Sequence, residues 1–111
     1  MERESDLFCY AEYKEVILGI VVKWMKEKIN LQLSFARFND KSSFAEFYIR
    51  YSTSSLYHKL LDTFHDSGFD RDDCHIYARA ARKELLLWLE EVLDRKLEGR
   101  NINWFLLREE V

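Results

Sequence analysis

The chain contains no proline and only three glycines, Gly19, Gly68 and Gly99, in 111 residues. A protein so poor in the residues that interrupt regular structure has little material for long irregular loops and must join its elements by short turns. The glycines also stand far apart. Neither a Walker loop nor a dinucleotide fingerprint can form, since both need clustered glycines to bring backbone amides against phosphate. Cysteine is almost as scarce. Cys9 and Cys74 are widely separated and both fall in segments of helical spacing, which argues against a disulfide framework and for two reduced, buried thiols in a cytoplasmic protein. Long apolar runs are missing as well. The densest, Val16 to Val22, is far shorter than the roughly 20 residues that cross a bilayer. The acidic start, Met1-Glu2-Arg3-Glu4-Ser5-Asp6, is unlike the basic start of a secretory signal.

What is present suits a packed domain. Apolar residues make up 48% of the chain, aromatics 15% and charged residues 33%, with a net charge of −3, so both a core and a solvated exterior are available. The length fits one globular domain over residues 1–111, able to bury roughly two thirds of the surface of the unfolded chain.

Along the chain the apolar spacing changes twice. Ser5 or Asp6 can cap a first helix running through Lys28. On a wheel, Glu12, Glu15, Gly19, Lys23 and Lys26 form one narrow polar stripe, while Phe8, Tyr13, Val16, Ile17, Ile20, Val21, Trp24 and Met25 cover most of the remainder. A helix apolar nearly all round is expected to be covered on two sides. The β-branched residues of Glu15 to Val22 offer a competing strand there. From Ile29 to Ser52 apolar residues recur at every second position, first Ile29, Leu31, Leu33 and Phe35, then Ala45, Phe47, Ile49 and Tyr51, on either side of the polar break Asn39 to Ser43. That alternation predicts two antiparallel strands, with a bulge near Ala36 or Arg37. Ser54 or Ser55 opens a short helix with Leu56, Leu60, Leu61 and Phe64 on one face, and Gly68 stands where a left-handed cap is wanted. Asp70, followed by Asp72 and Asp73, caps the longest predicted helix. Its seam is Cys74, Ala78, Ala81, Leu85, Trp88 and Val92, and its second apolar edge is Leu86, Leu93 and Leu97. Gly99 ends it and Asn101 starts a final short helix. The expected fold is therefore α+β and mostly helical, in the order α-β-β-α-α, with one antiparallel β-hairpin packed on helices.

Three groups of residues are candidates for chemistry. His58, Asp62 and His65 stand at i, i+4 and i+7 of one helix, a column of metal-ligand types followed by the acidic stretch to His75. Their spacing matches no zinc signature and no EF-hand loop, and a solvated face explains them without a metal. Cys74 beside His75 suggests a nucleophile, but neighbours on a helix point about 100° apart and the adjacent carboxylates oppose a thiolate. Arg37, Lys41 and Arg50 lie on the predicted hairpin with Tyr48, an arrangement that can hold phosphates and stack a base. The acidic net charge and the acids interleaved with every cation speak against a nucleic-acid partner. Glu90-Glu91 and Glu109-Glu110 read as solvated pairs.

No motif implies catalysis, a cofactor, a small-molecule substrate or a membrane. The expected function is a non-catalytic protein-interaction domain that acts by stoichiometric binding, as a small acidic inhibitor or immunity-type protein or an accessory protein does. The apolar width of the long helix exceeds what two strands can cover. That surplus places a protein interface, self-association to a homodimer being its simplest form, at Leu86, Leu93, Leu97, Trp104, Phe105 and Leu106.

Overall fold

The computed structural model describes the backbone of residues 2–98 and 102–109 and the side chains of 12–98 and 102–108. Five helices follow one another: α1 (Glu2–Phe35), α2 (Lys41–Ser52), α3 (Ser54–Asp66), α4 (Arg71–Leu97) and α5 (Trp104–Glu109). Among the described residues there is no strand. The expected α+β fold, with its α-β-β-α-α order and β-hairpin, is replaced by an all-helical bundle.

The reason lies in what alternation contains. Any i, i+2 series also holds an i, i+4 series, and here the helix uses that one. Ile29 and Leu33 are buried while Leu31 and Phe35 are 63% and 79% exposed, so the core stripe Val21, Val22, Met25, Ile29, Leu33 continues at helical spacing through the predicted first strand. The second predicted strand buries Phe44, Phe47, Tyr48 and Tyr51, at i, i+3, i+4 and i+7. The polar break between them is a helix start. Asp40 caps α2 with its side chain accepting from the Ser43 amide at 2.9 Å, and those bonds hold its carboxyl below the usual carboxylate range. Ala36, expected at a bulge, donates its amide to Gln32 at 3.0 Å and closes the last turn of α1.

Other boundaries follow local chemistry. Gly68 takes φ 92° in the turn after α3, a region that costs glycine nothing. Asp70 caps α4, accepting from the Asp73 amide at 2.8 Å. Glu98 adopts φ 54° at the end of α4; Gly99 and Asn101 lie outside the described residues, and the side chain of Asn103 accepts from Leu106 in the first turn of α5.

The helices make three arms. Lys14 pairs with Asp73 and Lys26 with Glu84, so α1 and α4 run parallel. Tyr48 meets Glu90 and Ser52 meets Arg82, so α2 runs antiparallel to α4, and α3 continues that arm beyond a break at Thr53 before the short turn into α4. This up-down-up bundle buries α4 centrally, with Cys74, Ala78, Ala81, Leu85, Leu86, Leu89, Leu93 and Leu97 all inside, against α1, α2 and α3. The bundle is long and thin, 59 × 23 × 21 Å, with a radius of gyration of 16.4 Å. A compact domain of this length has roughly 13 Å. A helix of 34 residues is about 51 Å long, so α1 sets the long axis, and the shorter arms beside it pack against one of its sides.

Candidate functional site

The residues expected to form the interface divide. Leu86, Leu93, Leu97 and Trp104 are buried in the chain's own core, between 0% and 6% exposed, whereas Phe105 and Leu106 stay 58% and 54% exposed. The apolar width of α4 is covered by α1, α2, α3 and α5 together. Trp104 is fixed from several directions. Its Nε1 donates to Asp94 at 2.6 Å, and its ring lies 4.7 Å from that of Tyr48.

Tyr48 faces inward, fully buried, and donates its hydroxyl to Glu90 at 2.8 Å. Burial and then the Glu90 carboxylate push its phenol well above the ordinary tyrosine range. It is in no position to stack a base. Arg37 and Arg50 do come together, with Phe35, Glu46 and Phe47, around an open cleft of about 420 Å³ between the end of α1 and α2. Lys41 lies outside that lining at the start of α2. The Glu46 carboxylate shares the cleft, so its charge is mixed.

His58, Asp62 and His65 are exposed on α3, and among the described residues no group of three or more acidic, histidine or cysteine side chains is close enough to hold a metal ion. His75 is engaged elsewhere, its Nδ1 2.7 Å from the Tyr57 hydroxyl. Cys74 is buried with its Sγ 3.6 Å from the Phe69 carbonyl. Burial first, then Asp70 and Asp73, raises its pKa, the direction expected from the acidic turn around it. The Cys9 side chain lies outside the described residues.

Glu90 departs from the sequence reading. It is not solvated but 9% exposed, accepting from Tyr48 and ion-paired to Arg108 at 3.0 Å. Its position was legible, since residues 86, 90, 93 and 97 repeat at 4, 3 and 4 along one face.

The largest departure is on α1. Tyr13, Val16, Ile20, Trp24, Leu31 and Phe35 are between 43% and 79% exposed, and their spacing keeps them on the side away from Val21, Val22, Met25, Ile29 and Leu33. The expectation that α1 is covered on two sides is met on one. The outward residues of α4 provide the contrast. Arg79, Lys83, Glu84, Glu91, Asp94 and Arg95 line that helix with Ile76 and Leu87, the ordinary charged exterior of a bundle. On α1 the exposed charges Glu12, Glu15, Lys23 and Lys28 stand beside the apolar row, and Glu27 lies in line with it beyond Trp24. Lys26 turns to Glu84 at 3.7 Å, Lys28 lies over the Trp24 ring at 3.9 Å, and Glu12 and Lys23 are exposed with no ion pair among the described residues.

Comparison with protein-family models, curated proteins and solved structures finds no match to this chain. Among the described residues no helix is long and apolar enough to cross a membrane.

Proposed function

We propose that this chain is a non-catalytic protein-interaction domain that works by stoichiometric binding, with the outer face of α1 as its contact surface. One observation carries this reading: Tyr13, Val16, Ile20 and Trp24 form a continuous apolar stripe, each 43% or more exposed, on a helix whose opposite side already supplies the core. Scattered single apolar residues are normal on a protein surface, but a row of them along one helix marks a surface that another molecule covers. The rigid helix suits it to the role. A partner meeting a preformed helix face does not have to order it, so less of the binding energy is lost to entropy. A stoichiometric inhibitor of a basic effector is the narrower form of this reading, supported by the net charge of −3 through electrostatic steering. The cytoplasm is the matching compartment, supported by the unpaired, buried thiol of Cys74.

The test is affinity capture from the native host with wild-type protein and with Val16→Asp and Ile20→Arg, with circular dichroism as the control for folding. A partner retained by the wild type at one-to-one stoichiometry and lost by both variants is the expected result. Partners retained equally by all three proteins would exclude this face.

A further inference from the structure

The stripe on α1 has an internal symmetry that its own chain does not use. Glu12 and Lys23 are eleven residues apart, as are Tyr13 and Trp24. Eleven residues make almost a whole number of turns, so each pair shares one side of the helix, about 16 Å apart along its axis. Val16 and Ile20 lie between them. The midpoints of the three pairs fall within one residue of each other, around residue 18. An identical helix laid antiparallel across this face, with the twofold axis at that midpoint, therefore sets Tyr13 against Trp24 of the second copy, Val16 against its Ile20, and Glu12 against its Lys23, each contact occurring twice.

From this we infer that the occupant of the α1 face is a second copy of the same chain, paired antiparallel through residues 12–24. The inference rests on the reading of α1 as a contact surface and names its partner. Charge complementarity selects the direction. The antiparallel pair keeps Glu12 and Lys23 of the two copies on the same flank and joins opposite charges that are exposed and without an ion pair among the described residues, whereas a parallel pair would put each on the opposite flank from its copy and leave it facing the Tyr13 and Trp24 side. Lys28 does not interfere, because it lies along the Trp24 ring on the other flank. The area is adequate for a reversible dimer. The exposed parts of Tyr13, Val16, Ile20 and Trp24 amount to on the order of 400 Å² per copy. With the charged rims added, the total nears the lower bound of specific interfaces, roughly 1,200 Å².

The experiment is sedimentation equilibrium of the full chain between about 1 and 500 µM, the span in which an interface of this size assembles. The wild type is expected to rise from 13.5 kDa toward twice that mass, and Ile20→Arg to remain monomeric. Glu12→Lys and Lys23→Glu are each expected to weaken the dimer at least threefold, and the doubly exchanged E12K/K23E protein to regain wild-type association. Only the antiparallel arrangement gives that rescue. A dimer that survives Ile20→Arg, or single exchanges without effect, overturns the proposal. So does a wild type that stays at 13.5 kDa throughout. In that last case the broader reading stands if a foreign protein is captured by the wild type and lost with Ile20→Arg. It falls with the dimer if none is. Co-sedimentation of a monomeric wild type with phosphatidylserine vesicles, abolished by Ile20→Arg, would overturn both in favour of a lipid surface.

Discussion

At the residue scale, the group made by Tyr48, Glu90 and Arg108 ties α2, α4 and α5 together at the edge of the core. A carboxylate this buried is tolerated because its charge meets a guanidinium and a phenol; removing it leaves both without that partner. Glu90→Ala is therefore expected to lower stability by about 3 kcal/mol, and Glu90→Gln by roughly half as much, because an amide oxygen still accepts from Tyr48. Urea midpoints at unchanged slope check both, and equal losses would mean that the charge contributes nothing. The sequence shows Glu90 in a pair of acids and so suggests water. Its neighbours four before and three after, Leu86 and Leu93, place it in the core, and only the arrival of Tyr48 and Arg108 from other helices makes that position tolerable.

At the element scale, the caps around α4 were readable, whereas the cap expected at Ser5 or Asp6 lies inside α1 and the expected strands are helix. Asp70 and Gly68 act where they were expected because a cap is a contact within a few residues. Asp40 illustrates the ambiguity. The polar types that turn a hairpin are also those that start a helix, and the alternation beside it fits both periods. Gly19 is the weak point of α1. It is exposed, and a methyl group added there meets nothing within 4 Å, so it costs helix stability without an evident gain in packing. Gly19→Ala is expected to raise stability by about 0.5–1 kcal/mol, read as a higher melting temperature of a dilute, monomeric sample. A fall would show that the backbone at residue 19 is not helical in solution.

For the whole molecule, three phenols couple folding to alkaline pH. Tyr48, Tyr51 and Tyr77 all have their pKa raised, burial being the largest cause in each. A raised folded-state pKa means that the unfolded chain loses its protons first. The stabilisation is present below the ordinary tyrosine value of about 10 and is lost as pH rises above it. Unfolding free energy measured by denaturant from about pH 8 to 11 should fall across the upper part of that range, and Tyr48→Phe should reduce the slope. An unchanged slope in that variant would remove Tyr48 from the account. The same scale explains the uncovered side of α1. The central α4 is covered by several helices, whereas α1 lies at the edge of the bundle with one side covered, and this sequence made α1 apolar on more than one.

By itself, the sequence determined the positions of the caps at Asp70 and Gly68, the helices through Leu56 to Phe64 and Cys74 to Leu97, and the apolar breadth of α1, because capping and amphipathic spacing are local properties. Only the tertiary structure decided that residues 29 to 52 are wound as helix and that Leu86, Leu93, Leu97 and Trp104 lie inside while Val16, Ile20 and Trp24 lie outside. The physical reason is that an apolar side chain carries no address. It records that surface must be hidden from water, and the packing of the other helices chooses which surface the chain hides itself.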